Sequence, residues 1–147
     1  MESYFVTGVS VFAIIGSIIS IVVSIRQEQR VKFNVIQEYY LNADTSEMIS
    51  ARAEYYKCKE TGPFDKDKCP SFGLIVTKYD LWGMLCLNNY LPIWMFEGAL
   101  GAFVVESFDY VKDYIYERRN NNINKRYAWH YEKLAQKITK KYGIYPG

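Results

Sequence analysis

The chain has 147 residues with a formal net charge of +2, and 50 % of its residues are hydrophobic. This balance gives no strong overall field for nucleic acid, and the length allows one domain with a core of its own beside a membrane segment. Aromatic residues make up 17 % of the chain, which suits amphipathic helices that pack on each other or lie near a membrane interface.

An uncharged stretch near the N-terminus, from Tyr4 to Ile25, dominates the sequence. At about 1.5 Å per residue a helix of this length reaches about 33 Å, enough to cross a bilayer core. Glu2 precedes the stretch and basic residues follow it, which is opposite to the pattern of a cleaved signal peptide. The sequence therefore predicts a transmembrane helix over 1–25, with a buried helix of a soluble domain as the alternative, and a helical domain over 26–147.

Small and hydroxylated residues recur along one stripe of this predicted helix at spacings of three and four. Such a stripe lets copies of a helix pack closely, lines a water-filled pore between them, or is merely tolerated because serine bonds to its own helix. Glu2 and Glu28 continue the stripe and would form two charged collars in a ring. The candidate interface or pore-lining residues are Thr7, Ser10, Ser17, Ser20 and Ser24.

The charges that flank the apolar stretch predict its orientation. Arg26, Arg30 and Lys32 follow the stretch, whereas only Glu2 and the amino group precede it. By the positive-inside rule, the sequence predicts a single-pass protein of the bacterial inner membrane, with its N-terminus outside and its C-terminal domain cytoplasmic.

The expected state of the three cysteines depends on the compartment, and their spacing does not indicate a metal site. In a cytoplasmic domain Cys58 and Cys69 are expected as free thiols, whereas an oxidising compartment would allow a disulfide between them. Cys86 lies in an apolar run and is predicted to be a core residue. No Cys or His spacing resembles a zinc site, so no metal site and no cofactor are expected.

Four or five helices are predicted to follow the apolar stretch, so the fold class is all-α. The first continues without a break past Arg26 and ends at residues 42–44. The second opens at a capping box formed by Asp44 and Glu47 and ends at Gly62. The loop that follows is predicted to be solvated rather than a calcium site, because it lacks the glycine and the distal glutamate of an EF-hand.

The third helix is predicted to be capped by Ser71, and a long central helix to run from residue 92 to 119. In that helix Gly98 and Gly101 permit close helix approach. Glu97, the one charge in its apolar half, is interpreted as a carboxylate at a helix edge, with a buried pair to Arg52 as the alternative.

The last helix is predicted from residue 123 to a stop at Gly143. Its lysines are interpreted as a solvated face that suits the helix dipole, with contact to anionic lipid or RNA as the alternative. It also holds the candidate catalytic residues, Arg126 and His130, one turn apart on one face. RNases of the higher eukaryote and prokaryote nucleotide-binding (HEPN) class use such a pair, with His for acid–base chemistry and Arg for the phosphate.

The gap between Arg126 and His130 is shorter than the one in that class, and Arg118–Arg119 lie too far from His130 to replace Arg126. A single histidine among aromatic residues is more often a packing residue. Enzyme activity is therefore left uncertain, and its absence is favoured.

The stretches NNYLPIWMFEGALGAFVVESFDYVKDYIYERR and YAWHYEKLAQK resemble a family of small bacterial membrane proteins of unknown function. The layout of the chain is also similar to the membrane accessory proteins encoded beside the RNA-guided RNase of type VI-B CRISPR systems. The resemblance implies a divergent HEPN-like helical domain and assembly into a membrane pore that supports antiphage defence.

The first functional hypothesis is therefore a ring-like homo-oligomer in the lipid bilayer that depolarises the membrane. Its expected further partner is an RNA-guided RNase effector or its RNA products, with no DNA. Two alternatives stay open: a membrane-tethered HEPN-like RNase that uses His130, and a membrane-anchored interaction domain without a pore.

Overall fold

The computed structural model describes residues 2–121 and 124–144, and among these the side chains from residue 14 onward. The described residues form α-helices and one short 3₁₀-helix, with no strand among them, so the all-α prediction is confirmed for this part of the chain. The helices are α1 (Glu2–Ala43), α2 (Ser46–Thr61), α3 (Phe72–Leu87), the 3₁₀-helix Ile93–Phe96, α4 (Ala99–Asn121) and α5 (Trp129–Tyr142). The chain divides into two compact units, one up to Val35 and one from Ile36 onward.

The first unit holds the stretch that was predicted to cross a membrane. No helix in the described part of the chain is long and apolar enough to do so. The predictions of a transmembrane helix and of a single-pass location in the bacterial inner membrane are therefore wrong.

The junction between α1 and α2 lies where the sequence predicts it, but a different residue caps α2. α1 continues without a break to Ala43, as predicted. The cap of α2 is Thr45, whose hydroxyl accepts a hydrogen bond from the backbone N–H of Met48 at 3.3 Å. The predicted capping box from Asp44 is wrong by one residue, because the Asp44 carboxylate instead accepts a hydrogen bond from Arg52 at 2.8 Å.

The core of the second unit is rich in aromatic side chains. The largest fully buried side chains include Tyr55, Tyr79 and Tyr131. The rings of Tyr79 and Tyr131 bring α3 against α5, with 5.4 Å between their centroids. The Tyr131 hydroxyl lies 2.6 Å from the hydroxyl of Ser107 on α4, so its polar end is satisfied inside the core.

The segment predicted as one long central helix is interrupted. It forms the 3₁₀-helix Ile93–Phe96, turns at Gly98 with a φ of 77°, and only then begins α4. A positive φ strains any residue with a Cβ, so glycine is required at that turn. Gly101 does permit close approach, as predicted, because a Cβ there would collide with the carbonyl of Phe96 and lie 3.1 Å from Ile138.

The last helix begins later than predicted, at Trp129, and ends at Tyr142 before Gly143. Gly143 has a φ of 64°, so the predicted glycine stop is confirmed. Ala128, just before the helix, also has a positive φ, of 53°. An αL residue cannot continue an α-helix, which is why the preceding residues form a turn instead.

The loop between α2 and α3 is closed by a disulfide between Cys58 and Cys69, and both sulfur-bearing residues are buried. Of the two thiol states that the sequence left open, the structure has the bonded one. Phe64 in the loop packs on Phe72, with 5.1 Å between the ring centroids, so the loop is anchored at both points. Cys86 is free and buried, as predicted.

Candidate functional site

His130 lies in the first turn of α5, beside a carboxylate of α3. Nδ1 of His130 is 3.4 Å from Oδ2 of Asp80, and the two side chains are 28 % and 32 % exposed. The pair is therefore half-buried at the junction of the two helices and still open to solvent.

The same carboxylate completes the N-terminus of α5. Oδ1 of Asp80 accepts hydrogen bonds from the backbone N–H of His130 at 2.9 Å and from that of Tyr131 at 3.1 Å. The residue at the cap position, Ala128, makes no side-chain hydrogen bond there. Asp80 thus satisfies two free N–H groups and meets the positive end of the helix dipole, which gives His130 a structural partner.

Arg126, the other candidate catalytic residue, lies elsewhere. It is exposed, and its guanidinium carbon is 5.0 Å from the ring centroid of Trp129. The ammonium of Lys133 lies 5.8 Å from the centroid of the same ring. Among the described residues no hydrogen bond, ion pair or ring contact joins Arg126 to His130. The structure therefore brings His130 to Asp80 and Arg126 to Trp129, rather than the two candidates to each other.

The upstream pair Arg118–Arg119 is held by structural contacts. Arg119 donates a hydrogen bond to Glu132 at 2.6 Å and one to the carbonyl of Tyr127 at 2.7 Å. The Arg119 and Glu132 side chains are each 14 % exposed, so this ion pair fastens α4 to α5. The guanidinium carbon of Arg118 lies 4.4 Å from the ring centroid of Tyr127.

Arg52 forms a second charged cluster, on α2. It donates hydrogen bonds to the Asp44 carboxylate at 2.8 Å and to the carbonyl of Ala43 at 2.7 Å. Glu97 is exposed, so the interpretation as an edge carboxylate is confirmed and the alternative pair with Arg52 is wrong. Behind Arg52, burial raises the pKa of Tyr79 to about 12 against the opposing effect of the Arg52 charge.

A cavity of about 340 Å³ opens beside Arg52. Most of its lining is aromatic or aliphatic, with one cation and one carboxylate at its rim. The lining residues include Tyr39, Tyr40, Asp44, Arg52, Tyr56, Leu100 and Phe103.

The candidate residues of α1 are only partly described. The side chains of Glu2, Thr7 and Ser10 lie outside the described residues, whereas Ser17, Ser20 and Ser24 are exposed. Glu28, the other proposed collar, forms an ion pair with Lys32 at 2.7 Å, and this pairing lowers the pKa of its carboxyl.

No three or more His, Cys, Asp or Glu side chains gather as a metal site would need, within the ranges that the structure describes. Comparisons with known proteins found no matching family model, no matching curated protein and no matching solved structure. The resemblance to CRISPR accessory proteins and the HEPN-like assignment therefore stay predictions without support.

Sequence reasoning found His130 and missed its partner. Asp80 is the one acidic residue in the apolar helix α3, and a single carboxylate in such a run is a signal that could have identified it. The Arg52 cavity has no comparable signal, because its lining comes from residues that are far apart in the sequence.

Proposed function

We propose that the chain is a homo-oligomeric interaction protein that assembles through α1. The observation that carries the proposal is the exposure of every large apolar side chain over Ile14–Ile25, each between 44 % and 60 %. Contiguous apolar surface of this kind marks an interaction site in a folded protein.

The apolar residues of this segment are not confined to a narrow seam. With 100° per residue, Ile14 and its apolar neighbours cover an arc of about 200°, and Gly16, Ser17, Ser20 and Ser24 fill the rest. A two-stranded coiled coil buries a seam narrower than about 100°. The arc therefore fits contact with two or more neighbouring copies.

The energetics lead to the same conclusion. Burying a half-exposed Ile or Val contributes about 1 kcal/mol, and the segment has eight such side chains. In a dimer about half of the sixteen become buried, for about 8 kcal/mol, which only matches the about 4–15 kcal/mol cost of association. A bundle of three or more helices buries more of each arc, so the proposal favours it over a dimer.

The partner is taken to be a second copy of this chain, because the segment has no charged side chain that could pair with a charged partner. Residues 14–25 carry no Asp, Glu, Lys or Arg. Burial of apolar surface is then the available driving force, and identical arcs on several copies can satisfy one another.

The mass of the particle in solution tests this assembly. Ile18→Glu with Val22→Glu puts two charges in the apolar arc, and we expect a multi-copy particle to fall to the mass of one chain. Light scattering after size-exclusion chromatography measures this, and circular dichroism reports whether the helices persist.

The matched control uses the same charges on the same helix. Ser20→Glu with Ser24→Glu falls on the opposite arc, and the particle should keep its mass. Dissociation by the serine pair alone would move the contact to the hydroxyl stripe, and a wild-type chain that is monomeric at high concentration would contradict the proposal.

The pore function requires a helix that crosses a membrane, so we keep the predicted self-association and leave the pore aside. The link to an RNA-guided effector stays a prediction.

A second candidate function is binding of single-stranded RNA by α5. Residues 124–144 contain six Lys or Arg and a single acid, Glu132, which Arg119 neutralises. Within this basic segment Trp129 lies against Arg126 and Lys133, and aromatic rings beside cations are the usual platform for stacked bases.

Fluorescence anisotropy with a labelled oligouridine tests RNA binding. We expect Trp129→Ala to weaken binding about tenfold, because stacking contributes about 1–3 kcal/mol per base. Trp94→Ala removes a tryptophan that is 54 % exposed and lies outside this basic segment, and it should leave binding unchanged. Equal loss in both variants would contradict a site at Trp129, and cleavage that His130→Ala abolishes would extend the function to an RNase.

A further inference from the structure

The cavity beside Arg52 has the size and the lining of a small-molecule site. Its volume of about 340 Å³ falls within the about 300–1,000 Å³ that is typical of ligand pockets. Such pockets combine apolar walls with a few polar groups that fix the ligand. The cavity lies entirely within the second unit and is independent of the assembly proposed for α1.

Arg52 is the polar group that a ligand would meet. Its side chain is 21 % exposed, so the guanidinium is enclosed but still reachable. One terminal nitrogen is fixed on the carbonyl of Ala43, while the other donates to Asp44. Nε is buried, so a ligand would reach this cation through the terminal nitrogen that donates to Asp44.

Asp44 is the replaceable partner in this arrangement. Its carboxylate is 75 % exposed, so it approaches Arg52 from the solvent side. Exposed ion pairs contribute only about 0–1 kcal/mol, because water screens them. A second carboxylate that also buries a hydrophobic body in the cavity would compete with it effectively.

The walls supply a surface for such a body. Tyr40 and Tyr56 are 61 % and 52 % exposed, so much of each side chain is open to solvent. The Phe103 ring lies 5.8 Å from the guanidinium carbon of Arg52, next to the cation. Leu100 adds an aliphatic side chain to the same lining.

We propose that this cavity binds a small aromatic carboxylate. The ligand carboxylate replaces Asp44 on Arg52, and the ring packs between the tyrosines and Leu100. A cationic ligand is disfavoured because Arg52 already places a positive charge there, and a neutral ligand cannot displace the Asp44 carboxylate.

Benzoate added to the full chain is the probe, and backbone amide shifts in two-dimensional NMR are the readout. We expect saturable shifts confined to the cavity residues. Benzamide has the same ring without the charge, and acetate has the charge without the ring. Each should bind at least about tenfold more weakly than benzoate, since charge and ring both contribute.

Two variants test the role of Asp44 and the role of the cavity space separately, and both keep Arg52. Asp44→Asn discharges the resident competitor and should tighten benzoate binding about tenfold. Leu100→Trp fills the cavity and should abolish binding, while the amide spectrum away from the cavity stays unchanged. Equal binding of benzamide and benzoate, weaker binding in Asp44→Asn, or no saturable shift at millimolar benzoate would each overturn the proposal.

Discussion

Asp80→Ala is expected to lower the free energy of unfolding by about 3 kcal/mol, since it removes two charge-assisted hydrogen bonds of about 1.5 kcal/mol each. The variant leaves the backbone N–H groups of His130 and Tyr131 without their acceptor. No residue of the chain preceding α5 can replace it, because the cap position is Ala128. The loss should therefore exceed that of an ordinary N-cap, which is about 1 kcal/mol.

Chemical denaturation followed by circular dichroism measures this loss. Asp80→Asn keeps an oxygen acceptor and loses only the charge, so it should cost about 1 kcal/mol. Asp113→Ala removes an exposed carboxylate from α4 and should change stability by less than about 0.5 kcal/mol. An Asp80→Ala variant as stable as the Asp113→Ala control would show that α5 does not depend on this cap.

Asp80 and Arg52 each bind free backbone groups at the end of another helix, Asp80 at an N-terminus and Arg52 at a C-terminus. Asp80 reaches from α3 to the free N–H groups at the start of α5. Arg52 reaches from α2 to the carbonyl of Ala43, at the end of α1, which has no basic residue in its last turn. In each case the charge has the sign that the helix dipole favours, although a neighbouring helix supplies it.

This arrangement explains which helix boundaries the sequence could predict. Gly62 and Gly143 end their helices as predicted, because a glycine stop is a local property of the chain. The start of α5 was predicted six residues too early, since the residue that defines it, Asp80, lies 50 positions away from His130. Periodicity extends a helix through residues 124–128, and only the tertiary contact shows where it begins.

The candidate site, too, could be predicted from the sequence only in part. His130 could be found from the sequence because it is the one histidine of the chain. Its supposed partner Arg126 was chosen for one-turn spacing, but an exposed arginine next to a tryptophan can gain more from the ring than from a half-buried imidazole. The membrane prediction was wrong, because no helix in the described part of the chain is long and apolar enough to cross a membrane.

The close packing of α3 on α5 leads to the second large effect, which is expected from Gly83→Ala. A Cβ at this position would lie 3.2 Å from the Cβ of His130 and would collide with the carbonyl of the same residue. Backbone atoms cannot rotate away as a side chain can, so the two helices must separate. We expect a loss of about 3 kcal/mol, at the upper end of the range for overpacked cores.

Gly73→Ala on the same helix is the matched control with the opposite sign. Nothing lies within 4 Å of the Cβ that it adds, and alanine is about 0.5–1 kcal/mol more favourable than glycine in a helix, so this variant should be stabilised. Separation of α3 from α5 also pulls Asp80 away from the backbone of His130. The double variant should therefore lose less stability than the sum of the losses in Gly83→Ala and Asp80→Ala. Full additivity would mean that the glycine and the carboxylate stabilise α5 independently.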